Sequence, residues 1–316
     1  MTDCLALRMA DKVRLTSQIM TEEGLSPEDL ANRATEAGLV RVRRGAWSSA
    51  EVLPPDEAHL RLAHAVELQH RDPVFSHVTA ATAWGLPVDR RTLDRVWVTR
   101  RTGHSHGRRL RDVRESETPL RDDEVTMANG LVVTSVARTV VDVARMCSLE
   151  WGVIAADAAL NQKLCTPDEL SDAIAAARRR RGVSRATRAV RFADGDAESP
   201  LESVSRLSLA RAGLPTPELQ HAILLNGRRV ARCDFAWPEY GVVGECDGAV
   251  KYGKLLKQGQ SPEQAVMAEK HRENLIREAD WWIVRWGWEI AWDIPRLAAR
   301  VQTALKHGGT PHLASA

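Results

Sequence analysis

With 316 residues, 44% of them hydrophobic and 27% charged, the chain has an ordinary globular mix and is long enough for two or three domains. A formal net charge of +2 excludes a histone-like basic glue, so any contact with nucleic acid has to come from local patches. No apolar run reaches the roughly 18–20 residues of a membrane helix, and the first residues lack a signal-peptide pattern, so a cytoplasmic protein without a membrane partner is expected.

Residues 1–50 read as two short helices and a hairpin. Residues 5–20 have helical apolar spacing, which Gly24 breaks. Ser26-Pro27-Glu28 then supplies an N-cap, a proline at the first helical position and an acid in the first turn of a second helix ending near Gly38. In LVRVRRGAW (39–47), Val40 and Val42 alternate with Arg41 and Arg43, the pattern of a half-buried strand with a basic outer face, turning at Arg44-Gly45. Helix, turn, helix and basic wing is the order of a winged helix-turn-helix, whose second helix enters the major groove while wing arginines reach the backbone. Arg33, Arg41, Arg43 and Arg44 are its candidate DNA contacts. A small helical cap with a solvated hairpin fits the same residues, and the second helix carries Glu28, Asp29 and Glu36 against Arg33.

Residues 51–175 mix helices and strands. A helix is expected over 56–70, a short helix in FSHVTAATAWGLPV (75–88), and a strand over 95–99. LVVTSVARTVVDVARM (131–146) gives a strand running into a helix capped by Ser135. His104 and His106 lie in an arginine-rich stretch over 100–114. Phosphate binding, metal ligation and a plain solvated loop all fit them, and no third ligand stands at metal-binding spacing nearby. Residues 176–197 read as an arginine-rich linker helix. Arg178, Arg179, Arg180 and Arg181 form either a clamp on the DNA backbone, since guanidinium groups bind phosphate bidentately, or a solvated face. The five cysteines (Cys4, Cys147, Cys165, Cys233 and Cys246) are odd in number and scattered, which suits neither a disulfide framework nor a zinc site.

LVRVRRGAW, FSHVTAATAWGLPV and LVVTSVARTVVDVAR together resemble the AbiEi-type antitoxins of type IV toxin–antitoxin systems, across about the first half of the chain. The resemblance implies an autoregulatory DNA-binding protein with a cognate toxin as partner, or a domain derived from one.

Residues 198–308 form an α/β unit. Ser199-Pro200-Leu201-Glu202 starts a helix with Leu201, Val204 and Leu207 as its apolar stripe. Strands over 219–225 and 228–237 flank a type I′ turn at Asn226-Gly227. A third strand over 242–247, a helix capped by Ser261-Pro262, a fourth strand over 281–286 and a last helix over 294–305 complete an αβββαβα order. The side-chain period of 2 puts Glu245 and Asp247 on one face. A turn flanked by Trp237 and Val242 pairs 236 with 243, 235 with 244 and 234 with 245. Asp234 and Glu245 would then meet across the sheet, where like charges destabilise, and more so when buried. A divalent metal resolves that conflict, and carboxylate oxygens suit Mg²⁺ or Mn²⁺.

Glu202, RCDF (232–235), GECDG (244–248), Lys251-Tyr252, EKHR (269–272) and WIVRW (282–286) are similar to the PD-(D/E)xK nuclease superfamily, in particular to very-short-patch-repair-like endonuclease domains. The resemblance implies an αβββαβ restriction-endonuclease-like core inside a chain that is α+β overall. It also implies that Asp234 and Glu245 hold the metal, that Glu202 assists, and that metal-bound water attacks the phosphodiester. The superfamily places Lys two residues after the second acid; here that position is Asp247. Lys251 and Lys270 are the candidate substitutes, with His271 as a candidate base. Only 7 of the 44 basic residues are Lys, and Lys251, Lys254, Lys257 and Lys270 fall within one short stretch after the acidic strand. Each site residue also has a plain structural role open to it. Glu202 fits a capping box with Ser199, Asp234 an ion pair with Arg232 or Arg285, and Asp247-Gly248 a strand-ending turn. The five tryptophans over 281–292 read as packing residues.

Two functions follow: a metal-dependent endodeoxyribonuclease guided to DNA by a winged helix, or a non-catalytic antitoxin-type transcriptional regulator with a degenerate nuclease fold. A protein-interaction scaffold is disfavoured by the basic patches at 41–44, 100–114 and 178–191.

Overall fold

The computed structural model describes residues 13–34, 38–100, 111–247 and 261–309. The chain forms two compact units, residues 1–191 and 192–316. Both mix helices with sheets, and among the described residues no helix is long and apolar enough to cross a membrane.

The first unit opens with strand β1 (Val13–Leu15), helices α1 (Thr16–Glu23) and α2 (Pro27–Arg33), and the hairpin β2 (Leu39–Arg43) and β3 (Ala46–Ser49). The strands form one sheet in the order β1-β3-β2. The helix expected over 5–20 is corrected here: residues 13–15 are extended and pair with β3, and residues 5–12 lie outside the described set. Burial of Val13 against Ala46 and Ala65 favours the strand over continued helix. The helix instead starts at Thr16, where Gln18 takes the backbone N–H of Leu15 at 2.8 Å. The second helix starts as its sequence dictates, with Ser26 Oγ accepting from Asp29 N at 3.1 Å and Pro27 in the first turn. The expected alternation in β2 fails: Val40 is exposed, and a bulge between Arg41 and Arg43 turns Arg43 inward.

The remainder of this unit is a five-stranded sheet with helices around it. The strands are β4 (Val74–Phe75), β5 (Val96–Arg100), β6 (Val113–Glu117), β7 (Val125–Ala128) and β8 (Leu131–Thr134), in the order β6-β5-β4-β8-β7. Helices α3 (Pro55–Glu67) and α4 (His77–Ala83) bury Leu60, Ala63, Val66, Ala80 and Ala83 against Phe75, Val96, Val98, Leu131 and Val133. Helices α5 (Val136–Met146), α6 (Leu149–Asn161), α7 (Pro167–Ala176) and α8 (Val183–Phe192) follow. Ser135 precedes α5, but its hydroxyl makes no capping hydrogen bond; its carbonyl takes the N–H of Thr139, and the Thr134 and Thr139 hydroxyls pair at 2.7 Å. The arginine-rich helix expected over 176–197 is corrected in part: residues 177–182 form a turn after α7, and the helical part is α8 alone.

The second unit contains α9 (Pro200–Arg211), β9 (Glu218–Leu225), β10 (Arg228–Trp237), β11 (Val242–Cys246), α10 (Pro262–Glu278), β12 (Trp282–Trp286), α11 (Trp288–Trp292) and α12 (Ile294–His307). The order is the expected one with short α11 added. Strands run β12-β11-β10-β9 across the sheet, an antiparallel meander whose last member, β12, joins β11 in parallel after α10 crosses over. The expected pairs Phe235 with Gly244 and Ala236 with Val243 are present, but the ladder ends there and does not reach the expected pair of Asp234 with Glu245. One face packs on α9, α11 and α12 through Leu201, Val204, Phe235, Trp237, Trp286 and Leu297. The other packs Ile223, Ala231, Cys233 and Val243 against Ile276 of α10. Gly244 is required where it stands, because a Cβ there would run into the Trp286 ring.

Candidate functional site

The acids of the second unit sit on structurally distinct supports. Glu202 lies in the first turn of α9, buried, where Ser199 caps the helix. Its carboxylate accepts from Ser199 Oγ at 2.7 Å, Glu198 N at 2.9 Å and Gln220 Nε2 at 2.7 Å. Burial raises its pKa, the three hydrogen bonds oppose that rise, and the nearby charge of Asp234 adds to it. The expected capping box is not formed, since Glu202 takes the N–H of Glu198 and the Ser199 hydroxyl; it is a carboxylate held at the start of α9 with Asp234 as an electrostatic neighbour.

Asp234 accepts the backbone N–H of Cys246 at 2.7 Å. Around it the strand switches faces: Cys233 packs on the α10 side with Ala236, whereas Phe235 and Trp237 pack on the α9 side. Opposite it in β9, Gln220 has a φ of 51°, so the pairing is locally irregular.

Glu245, 7% exposed, has other company. Arg272 Nη2 donates to its Oε1 at 2.6 Å and Arg285 Nε to its Oε2 at 2.8 Å. Cys233 Sγ lies 3.7 Å from Oε1, and its thiol is pushed up to about 12 by burial and then by the Glu245 charge. Arg272 also holds Glu269, and Arg285 holds both Glu269 at 3.0 Å and Glu273 at 3.2 Å. The hydrogen bond to Glu269, reinforced by Glu245, keeps the Arg272 pKa above its ordinary value. For Arg285, burial works against the charge, and the bonds to Glu245 and Glu273 outweigh it. Arg272 comes from α10, while Arg285 is the direct neighbour of Glu245 in the parallel β11–β12 register.

Two guanidinium groups thus satisfy both oxygens of Glu245. Arginine does not deprotonate in proteins, so a divalent cation approaching that carboxylate meets two fixed positive charges. Among the described residues no group of three or more His, Cys, Asp or Glu side chains is gathered for a metal ion. The described residues do not fit Mg²⁺ or Mn²⁺ held between Asp234 and Glu245. Asp247 is exposed at the strand end, 4.0 Å from Arg285 Nε. Lys270 and His271 are exposed on α10, and Lys251 lies outside the described residues. The partnership that sequence reasoning missed is that of Glu245 with Arg272 and Arg285; the fourth residue of VVGEC and the fourth of WIVRW become neighbours only once the two strands pair in parallel.

The basic residues of the first unit divide in the same way. Arg33 closes α2. Arg41 and Arg44 are exposed. Arg43 is not: its Nε lies 2.8 Å from Asp112 Oδ2, with 7% of its side chain exposed. In the 177–182 turn Arg178, Arg179 and Arg181 are exposed, whereas Arg180 is half-buried against the Pro119 carbonyl and burial lowers its pKa. The turn is anchored from below. Arg145 Nε donates to the Arg181 carbonyl at 3.0 Å, and Arg185 caps the end of α5 at the Ala144 and Arg145 carbonyls. Arg145 in turn joins a buried network in which Asp142 accepts from Arg145 and Arg138, and Arg138 reaches Glu124 at 3.0 Å. Gly182, at φ 82°, packs so closely that a Cβ would strike the Arg145 carbonyl. His104 and His106 lie outside the described residues.

A second buried group surrounds FSHVTAATAWGLPV. His77 has φ 51° and stacks on Trp97 with centroids 4.3 Å apart, while Arg114 lies 4.4 Å from the Trp97 ring centroid. Ser76 bridges the His77 ring at 2.9 Å and Thr99 at 2.7 Å. Burial lowers the His77 pKa to about 4, so the ring is neutral at pH 7.

Two uncharacterised proteins, from two strains of Mycobacterium tuberculosis, are each 35% identical to this chain over 156 residues, covering 49% of it. The chain spans about half the length of these curated relatives, 55%. The stretch that contains the five-stranded sheet, the Ser76–His77 pair and the anchored arginine turn, residues 74–191, matches the family model of the AbiEi antitoxin C-terminal domain.

Proposed function

We propose that this protein is a DNA-binding regulator of antitoxin type, acting in the cytoplasm with a cognate toxin. The observation that carries the reading is the match of residues 74–191 to the AbiEi antitoxin C-terminal domain. In this reading the segment from β1 to β3 works as a winged helix-turn-helix. Arg33, Arg41 and Arg44 and the exposed Arg178, Arg179 and Arg181 contact phosphates, and Arg43 and Arg180 support the fold. The exposed arginines of the anchored turn give an attractive surface for a polyanion without ordering new side-chain supports on binding. The test is a gel shift of the full chain on the duplex upstream of its own coding sequence, repeated over a salt series. Binding that weakens steeply with salt is expected; no shift at low salt overturns the reading.

The second unit is read as a restriction-endonuclease-like core kept for binding. A second reading, DNA cleavage by this unit, is favoured by one observation: Glu202 and Asp234 are electrostatic neighbours, with Asp247 at the end of the adjoining strand. Incubation of plasmid with the protein and Mn²⁺, beside Asp234→Ala, separates the two. Cleavage lost in the variant supports the nuclease; no cleavage by either supports the regulator.

A further inference from the structure

The second unit carries a basic feature used by neither the carboxylate site nor the arginines of the first unit. Strand β11 pairs with β10 at Phe235, Ala236 and Trp237, whereas β9 and β10 stay paired out to Leu225 and Arg228. The far part of this hairpin is a two-stranded ribbon extending past the sheet. Its tip is Asn226-Gly227, with φ of 50° and 74°, the left-handed pair of a type I′ turn, which keeps the two strands tightly twisted. A bulge between Arg229 and Ala231 adds to the twist.

Charge on this ribbon is one-sided. From residue 219 to residue 233 there is no acid, while Arg228, Arg229 and Arg232 are present. Arg232 is held by Glu198 through two contacts of 2.7 Å. Arg228 and Arg229 are exposed, and neither makes an ion pair with a described residue. One ribbon face is covered by α10 through Ile223 and Ala231; the other shows Leu224, 58% exposed. A groove of about 430 Å³ runs along Arg229, Val230, Ala231 and Arg232.

We propose that the β9–β10 ribbon is a second DNA-contact element, with its tip set in the major groove and Arg228 and Arg229 on the flanking phosphates. The B-DNA major groove, about 12 Å wide, admits a two-stranded ribbon, and a twisted one follows its course. The inference rests on the DNA-binding reading above. It adds a surface in the second unit and a role for that unit that needs no metal.

The experiment measures anisotropy of a fluorescein-labelled, mixed-sequence duplex with the full chain, from about 50 to about 200 mM salt. Each lost phosphate contact lowers the slope of log affinity against log salt by about 0.9. Arg228→Ala/Arg229→Ala is expected to weaken binding about tenfold or more and to reduce the slope by about 2, with unfolding temperature unchanged. Arg228→Lys/Arg229→Lys is expected to keep the slope. Wild-type affinity and slope in the double alanine variant overturn the ribbon proposal and turn attention to an acidic protein as its partner. If Arg178→Ala/Arg179→Ala/Arg181→Ala then still weakens binding, the regulator reading stands without the ribbon. No binding by the wild type at low salt overturns both.

Discussion

Substituting Glu245 by Gln separates an arginine clamp from a metal site. In the clamp, Glu245 accepts two charge-assisted hydrogen bonds, from Arg272 at 2.6 Å and Arg285 at 2.8 Å. Breaking one side of a fully buried ion pair costs about 3–5 kcal/mol. Both arginines here are 28% exposed along their side chains and keep Glu269, with Glu273 also on Arg285, so the loss is discounted to about 2 kcal/mol. In a unit of this size that lowers the unfolding temperature by roughly 8 °C. The assay is thermal unfolding of the full chain in EDTA, following the transition of the second unit by tryptophan fluorescence, since five tryptophans lie over residues 281–292. Two acids waiting for a metal would behave oppositely: removing one relieves repulsion and stabilises the metal-free protein. A Glu245→Gln variant at least as stable as wild type in EDTA, combined with Mn²⁺ stabilising wild type alone, refutes the clamp.

Two further outcomes follow from the first unit. His77 has its pKa lowered from 6.5 to about 4, so the unfolded chain binds a proton that the folded one refuses. Stability is unaffected above about pH 6.5 and falls by up to about 3 kcal/mol as pH drops toward 4. His77→Asn, at a φ that Asn adopts readily, should flatten this acid limb; identical limbs in variant and wild type refute the assignment. Gly182→Ala should destabilise the unit by about 2 kcal/mol or more, because φ is 82° and the new methyl meets the Arg145 carbonyl. An unchanged unfolding temperature would show that the arginine turn is not anchored as described.

Much of the local structure is legible in the chain alone. Ser26, Ser199 and Ser261 each cap the helix that the following Pro begins, and Asn226-Gly227 makes the hairpin turn. These signals work because the groups they satisfy are backbone N–H and C=O within three or four residues. The β10–β11 register is legible for the same reason: a short turn between Trp237 and Val242 leaves one in-phase pairing, which the structure has. Of the three stretches that carry the antitoxin resemblance, FSHVTAATAWGLPV and LVVTSVARTVVDVAR lie within the matched residues 74–191 and LVRVRRGAW lies before them.

Which partner each charge takes was decided by tertiary structure. Arg43 looks like a wing contact until Asp112, 69 residues away, claims it. The run 178–181 looks uniform until Gly182 turns the chain and Arg145, from a helix 36 residues earlier, fixes one carbonyl of it. Glu245 faces a metal or an arginine according to what α10 and β12 bring, and they bring Arg272 and Arg285 from 27 and 40 residues away. Nothing short-range selects among such partners, because a charge is satisfied by any opposite charge within reach, and reach is set by how distant elements pack. The sequence by itself determined most of the local caps and turns and the antitoxin-like middle; the tertiary structure made residues 13–15 a strand, broke the arginine run with a turn, and decided which acids and arginines remain available to bind anything else.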